Sequence, residues 1–118
     1  MSELRDNYPY MFVGSIGLKN IDLINKKADL GYWIREEYWG KGIATEYVRL
    51  IINYAFSSSD LRLIEVIAYV FPENKASIRV LEKNGMKNKG KVNEYHEISK
   101  RYRTSLQYII MKSDREGN

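Results

Sequence analysis

The sequence predicts an α/β domain with a mixed, mostly antiparallel sheet, on three observations. Apolar residues alternate in two N-terminal segments, a helical stripe follows them, and the full order reads strand, strand, helix, strand, helix, strand, strand. The 118 residues fit a single domain, with its core in residues 10–112 and a disordered tail at residues 113–118.

Two strands of period two are predicted over residues 10–18 and 28–34, because apolar side chains in each fall on one face. The polar stretch 19–27 is long enough to turn the chain back into an antiparallel pair. A serine-rich stretch at residues 57–60 ends the helix that follows. The helix is predicted from apolar residues at helical spacing: Ile43, Tyr47, Leu50, Ile51, Tyr54 and Ala55.

The second half of the chain predicts another strand, a helix and a closing hairpin. Residues 63–71 are apolar on both faces, which is typical of a central strand. Asn74 is a good N-cap for a second helix, and Gly85 supplies the left-handed residue that ends it. Residues 92–98 and 104–111 then form an antiparallel hairpin.

Composition excludes several classes of protein. The chain has no cysteine, so disulfides, thiolate metal sites and cysteine nucleophiles are excluded, and no metal site is expected. No apolar run is long enough to cross a bilayer and residues 1–15 lack a signal-peptide pattern, so the cytoplasm is the default compartment. The net charge is only +4, and one basic stretch is interpreted as a solvated face: Lys83, Lys87, Lys89 and Lys91.

A glycine-containing loop between the second strand and the first helix predicts an anion site. Gly40 and Gly42 allow backbone N–H groups to approach a phosphate, and the helix N-terminus adds unpaired donors. The dinucleotide pattern GxGxxG fails because Thr45 stands at its last position, and the Walker pattern has no match. A tight turn without a ligand remains the alternative.

Three segments together resemble one family. Residues 28–46 are similar to its fourth strand and pyrophosphate loop, and residues 74–86 to its NxxSxxxxEKxGF helix. Gly90 and Glu94 are similar to its final hairpin. The family is the GNAT superfamily of acetyl-CoA-dependent N-acetyltransferases, in its ribosomal-protein and spermidine branch. The departures are Glu37 at the start of the loop signature, Leu81 in place of a tyrosine, and Thr104 in place of an aspartate.

The resemblance implies a GNAT-like acyl-CoA N-acyltransferase fold that uses acetyl-CoA as co-substrate and needs no metal. A backbone N–H near Ile34 would polarise the thioester carbonyl, and the glycine loop would hold the pyrophosphate. The cofactor-binding residues that it implies are Trp33, Ile34, Arg35, Gly40, Lys41, Gly42, Ile43, Ala44, Thr45 and Asn74.

The resemblance also implies direct attack of an amine on the thioester in a ternary complex. Ser77 would protonate the departing thiolate, although Asn74 and Ser77 also suit a helix cap. His96 is the first candidate for the base because histidine titrates near neutrality, and an incidental histidine is the alternative. Glu94 is the second candidate, and Glu97 is less favoured.

The family's domain begins with a strand, two helices and another strand, for which only residues 1–9 remain here. An N-terminally truncated domain is expected to expose a sheet edge and apolar surface, so a homodimer or a partner chain would cover it. The chain would be a natural short form, a fragment or a cofactor-binding remnant.

Three functions compete at this point. The first is acetyl transfer to a primary amine, either a protein N-terminus or a small amine. The second is a catalytically weak or inactive module that binds CoA or another protein, because part of the acceptor site is missing. The weakest is a nucleic-acid binder that uses residues 83–91, Lys100, Arg101 and Arg103, since no recognised motif supports it. No membrane partner is expected.

Overall fold

The computed structural model describes residues 14–34 and 42–116. The order of strands and helices predicted from the sequence is confirmed, and one short C-terminal helix is added to it. The elements are β1 (Gly14–Asp22), β2 (Lys27–Ile34), α1 (Ile43–Ser57), β3 (Glu65–Val70), α2 (Lys75–Lys83), β4 (Lys87–His96), β5 (Arg101–Met111) and α3 (Lys112–Glu116).

Five strands form one sheet in the order β1-β2-β3-β5-β4. Only the β2–β3 pair is parallel among these strands, so the prediction of a mixed, mostly antiparallel sheet is confirmed. The parallel pairing runs from Lys27 opposite Glu65 to Leu30 opposite Ala68. It stops there within the described strands, although β2 continues to Ile34. The sheet therefore opens between the carboxyl ends of its two parallel strands.

The first hairpin is tighter than predicted. β1 continues to Asp22 and β2 begins at Lys27, so the predicted nine-residue turn over 19–27 is wrong. Asp22 makes the short turn possible because its carboxylate accepts the N–H groups of Ile24 and Asn25, each at 3.0 Å. The first four residues of the predicted strand 10–18 lie outside the described residues.

Helices α1 and α2 pack on the same face of the sheet and form the core with it. On α1 the predicted apolar stripe is partly wrong, because Leu50 and Tyr54 are 49% and 55% exposed. The buried side chains are Ala55, which the stripe includes, and Val48, Ile52 and Phe56, which it does not. The helix carries apolar residues on more than one side, and only packing against the sheet and α2 selects the buried side.

The predicted boundaries of α2 are confirmed. The Asn74 side chain accepts the N–H of Ser77 at 3.2 Å, which makes Asn74 the N-cap. At the other end Gly85 has a φ of 83°. The Asn84 side chain donates to the Thr45 carbonyl at 3.1 Å, so the end of α2 is fixed against the first turn of α1.

Tyr108 of β5 connects the sheet to α2 through a hydrogen bond. Its ring is 2% exposed, and its hydroxyl donates to Glu82 of α2 at 3.0 Å. Burial, and then the Glu82 contact, raise the pKa of Tyr108 above its ordinary value.

Tyr108→Phe is expected to destabilise the fold by about 1 kcal/mol near neutral pH, through loss of this hydrogen bond. The raised pKa means that the unfolded chain loses the phenol proton first, so this contribution falls as the pH rises above about 10. Urea unfolding of both proteins should therefore show a smaller alkaline loss of stability in Tyr108→Phe. An equal alkaline loss in both proteins would contradict this assignment.

The C-terminal segments also differ from the prediction. β4 begins at Lys87 rather than at residue 92, and β5 begins at Arg101 rather than at residue 104. Residues 113–116 were predicted to be a disordered tail, but they belong to α3. The Asp114 carboxylate accepts the Met111 N–H at 2.9 Å, which continues β5 directly into a helical turn. Residues 117–118 lie outside the described part.

The sheet face opposite the helices leaves large side chains exposed, as expected. Trp33 is 51% exposed and Tyr69 is 36% exposed, at strand positions that alternate with the core residues Leu30 and Ala68. Homodimerisation to cover this face stays a prediction. None of the helices within residues 14–34 and 42–116 has both the length and the apolar composition needed to span a membrane.

Candidate functional site

A cavity of about 600 Å³ lies where β2 and β3 separate. Its wall includes Leu30 and Ala68, which are core residues on the helix side of the sheet. Asp29 and Tyr69 are also in the wall, and their strand positions place them on the opposite side. The cavity therefore connects both faces of the sheet through the opening between the strands.

The end of β2 extends past its pairing with β3 and reaches this opening. Gly31 to Ile34 pair with β1 on one side, from Gly17 opposite Gly31 to Gly14 opposite Ile34. On their other side, the parallel ladder has already stopped at Leu30. An extended chain that carries amide groups can add to the edge of a strand beyond the point where its ladder with a neighbouring strand ends. Arg35, predicted for this role, lies outside the described residues.

The start of α1 has the backbone geometry that the predicted anion site requires. Gly42 is the N-cap with a φ of 76° and no side-chain cap, and a Cβ added there would meet nothing within 4 Å. The first helical hydrogen bond runs from the Glu46 N–H to the Gly42 carbonyl at 3.0 Å. The N–H groups of residues 43–45 precede it and have no acceptor within the helix. Gly40 and Lys41, also predicted here, lie outside the described residues.

Ser77 lies on the cavity wall and is held by Tyr32 of β2. The two hydroxyl oxygens are 2.5 Å apart, and the Tyr32 hydroxyl is also 3.3 Å from the Ser77 carbonyl. If Tyr32 donates to the Ser77 hydroxyl, the Ser77 proton is available to a ligand. If Ser77 donates instead, Tyr32 can donate to the carbonyl. Burial raises the pKa of Tyr32, and the hydrogen bond with Ser77 partly offsets this.

His96, at the end of β4, also lines the cavity. Its ring packs against Phe71 with the ring centroids 5.3 Å apart. The guanidinium of Arg103 lies over the Phe71 ring, 3.7 Å from the centroid of that ring. Arg103 also forms an ion pair with Glu73. The Nε2 atom of His96 is buried and has no hydrogen-bond partner among the described residues. This stack fixes the imidazole at the cavity and leaves one of its polar atoms unsatisfied.

Carboxylates dominate the charge of the cavity wall. Asp29, Glu94 and Glu97 lie in it, and Lys19 is the one lysine there within the described residues. The Asp29 carboxylate accepts a hydrogen bond from Asn20 at 2.9 Å. A wall with this balance of charge attracts cationic ligands.

The structure brings the three predicted catalytic residues, Ser77, Glu94 and His96, to one cavity, although they come from α2 and β4. Glu97, the less favoured base, and Asn74, which was predicted to bind the cofactor, line the same cavity. The predicted cofactor positions at Trp33 and residues 43–45 lie outside this wall and belong to the strand edge and the helix start.

Sequence reasoning missed Tyr32 and Phe71. The available signal for Tyr32 was its place in the alternation of β2, which puts it on the same face as Leu30, towards the helices. Within residues 14–34 and 42–116, no three histidine, aspartate or glutamate side chains cluster as a metal site requires.

Comparisons with known proteins agree with the family resemblance of the sequence motifs. The sequence profile of a family described as the acetyltransferase (GNAT) domain matches residues 2–87. The putative ribosomal N-acetyltransferase YdaF of Bacillus subtilis (strain 168) is 34% identical over 110 residues, which cover 93% of this chain and 59% of the relative. The spermidine N(1)-acetyltransferase of Escherichia coli (strain K12) is 28% identical over 99 residues, which cover 84% of this chain and 52% of the relative.

A solved structure is also similar. Mycobacterium smegmatis RimJ in complex with CoA-disulfide matches with a TM-score of 0.78 and 28% identity, over 88% of this chain and 49% of that chain. The chain thus spans between 52% and 59% of the length of the two curated relatives described above.

Proposed function

The chain belongs to the acetyltransferase (GNAT) domain family, and we propose that it transfers an acetyl group from acetyl-CoA to a primary amine. Its GNAT-like fold was predicted from sequence motifs and is confirmed by the likeness to solved acetyltransferases. The observation that carries the proposal is the cavity at the opening between β2 and β3, with Ser77 on its wall.

Acetyl-CoA would lie along the features already described. Its pantetheine arm contains amides, which suit the end of β2 beyond its pairing with β3. Its pyrophosphate suits the N-terminus of α1 at Gly42, where unpaired N–H groups and the helix dipole favour an anion. Asn74 lines the same cavity as Ser77 and is proposed to contact the cofactor arm.

The reaction would proceed by direct attack. The neutral amine nitrogen bonds to the acetyl carbon, and the carbon–sulfur bond then breaks. Ser77 gives its hydroxyl proton to the departing thiolate, while His96 or Glu94 takes a proton from the amine. The proton from the amine restores the Ser77 hydroxyl by way of solvent. The products are the acetamide, the CoA thiol and the one proton that the ammonium form releases.

The charge of the cavity supports an acceptor that arrives as an ammonium ion. Asp29, Glu94 and Glu97 outnumber Lys19 in the wall. The net charge of the whole chain is +4, which by itself weakly disfavours strongly cationic acceptors. The local field at the cavity is therefore opposite in sign to that of the whole chain. Both a protein N-terminus and a small amine satisfy this requirement.

A catalytically silent CoA-binding module is the second candidate function. The observation that favours it is the limited span of the chain, which matches 59% of its Bacillus subtilis relative. The part of such relatives that this chain does not match can hold residues that a complete acceptor site needs.

Two measurements test these functions in sequence. Acetyl-CoA is expected to raise the melting temperature, since a ligand at 100 times its Kd adds about 2.7 kcal/mol of stability. Thiol release from acetyl-CoA with a panel of primary amines is expected next, and the variants His96→Gln and Glu94→Gln identify the base. Binding without turnover on any amine would favour the silent module. Absence of binding would refute both functions.

A further inference from the structure

Lys19 of β1 places a primary amine of the chain itself in the wall of the cavity between β2 and β3. Its neighbour Leu18 packs against the core, so the alternation of the strand puts Lys19 on the sheet face opposite the helices. Asp29, which stands directly across from Lys19 in the β1–β2 register, lies on the same face. The amine is therefore on the side of the sheet that α1 and α2 leave open.

The side chain of Lys19 extends along β2 towards the opening. A Cβ atom added to Gly31 would lie 3.2 Å from Cε of Lys19 and 3.5 Å from its Nζ atom. The Asp29 carboxylate accepts a hydrogen bond from Asn20, and among the described residues no ion pair joins it to Lys19. Gly31 directly follows Leu30, the last residue of β2 that pairs with β3. Because Gly31 has no side chain, the lysine amine can lie where the two strands separate.

The position of Ser77 indicates where the sulfur of a bound thioester would lie along β2. The Ser77 hydroxyl is 2.5 Å from that of Tyr32, which is the residue next to Gly31. Tyr32 packs against the core on the helix side of the sheet, whereas Lys19 crosses the strand on the other side. A nucleophile and the proton donor to the leaving group must approach the acetyl group from different sides. Lys19 and Ser77 have this arrangement about the end of β2.

We propose that the chain acetylates its own Lys19, which makes this residue a modification site on the acceptor side of the cavity. The inference rests on the proposed function, since acetyl-CoA supplies the acetyl group. Lys19 is exposed, so its ammonium group can lose a proton to solvent. The Nζ atom then bonds to the acetyl carbon, the carbon–sulfur bond breaks, and Ser77 gives its proton to the thiolate. The second proton leaves the nitrogen, and solvent restores the Ser77 hydroxyl. The products are the acetamide of Lys19, the CoA thiol and one proton.

Acetylation would change the charge of the cavity. The acetylated side chain is neutral, and Lys19 is the one lysine in the wall within the described residues. The carboxylates of Asp29, Glu94 and Glu97 would remain without the positive charge that opposes them. The modification would therefore strengthen the attraction of the cavity for a cationic acceptor.

The test incubates the full chain with acetyl-CoA and no added amine, and follows the acetylation of each lysine by peptide mass spectrometry. Lys19 is expected to react about a hundredfold or more faster than Lys89, because an amine positioned beside the thioester has a high effective concentration. Lys89 is the matched control, since it is an exposed strand lysine outside the cavity wall. The rate per molecule should not change when the protein is diluted, as a reaction within one chain requires.

Two variants show whether the cavity catalyses this reaction. Ser77→Ala is expected to slow acetylation of Lys19 by about a hundredfold and to leave the slow reaction of Lys89 unchanged. Lys19→Arg keeps the positive charge and should remove the fast phase of acetyl incorporation into the intact chain.

Equal rates at Lys19 and Lys89, or a Lys19 rate that Ser77→Ala leaves unchanged, would overturn the inference. A rate per molecule that falls on dilution would also overturn it, because the acetyl group would then come from another copy. Turnover of an added amine while Lys19 stays unmodified would overturn the inference and leave the proposed function intact. Failure of acetyl-CoA to bind would instead refute the proposed function and, with it, this assignment.

Discussion

Gly42→Val is expected to weaken acetyl-CoA binding by about a hundredfold or more, because it disrupts the anion site at the start of α1. Gly42 has a φ of 76°, a conformation that a β-branched residue adopts only with strain. The added side chain would also occupy the open space in front of the helix N-terminus. Calorimetric titration with acetyl-CoA measures the loss directly.

The matched control is Gly90→Val. Gly90 also has a positive φ, 113°, and open space around it, but it lies on β4 away from the helix start. Both variants should lose about 1–3 kcal/mol of stability from backbone strain, and only Gly42→Val should lose binding. Native affinity in a folded Gly42→Val variant would show that the pyrophosphate lies elsewhere.

Ser77→Ala is expected to lower kcat by about a hundredfold while leaving KM for acetyl-CoA within about twofold of its native value. The reason is that the variant removes the proton donor to the thiolate and keeps the rest of the wall. Its fold should persist, because the cap of α2 uses the backbone N–H of Ser77 rather than the side chain. Ser59→Ala, in the exposed turn after α1, is the matched control for loss of a hydroxyl.

Tyr32 should act only through Ser77, and a double-mutant cycle tests this. Tyr32→Phe is expected to lower kcat several-fold in the native background and to have no further effect on Ser77→Ala. Burial raises the pKa of Tyr32 above its ordinary value, so its hydroxyl keeps its proton at neutral pH and the effect persists there. An equal loss in both backgrounds would show that Tyr32 acts independently, and Tyr54→Phe on the exposed side of α1 controls for loss of a phenol.

Local signals predicted the parts of the site that depend on backbone chemistry. Gly42 at the start of α1 and Asn74 at the start of α2 both have roles that neighbouring residues in the chain define. The helix from Asn74 to Gly85 was predicted for the same reason, since a cap and a left-handed glycine are local features. The predicted boundaries of segments were wrong where a side-chain contact sets them. At Asp22, for example, the carboxylate accepts two backbone N–H groups and makes the first turn shorter than predicted.

Such local signals do not predict contacts between elements that are distant in the chain. Tyr32 meets Ser77 across 45 positions of the chain, and nothing in either local pattern specifies that hydrogen bond. The buried side of α1 differed from the prediction because Leu50 and Val48 are both apolar, and only the sheet decides between them. The charge of the cavity likewise combines Asp29 of β2 with Glu94 of β4, which the net charge of the chain conceals.

The sequence by itself determined the order of strands and helices, the mixed sheet, the capped helix α2 and the family motifs, because periodicity, caps and glycine positions act over a few residues. The tertiary structure alone decided that β2 and β3 separate after Leu30 and Ala68. It also decided that Ser77, Glu94 and His96 line one cavity, and that Lys83, Lys87 and Arg115 line another. These arrangements depend on pairing register and packing between distant segments, which no local pattern encodes.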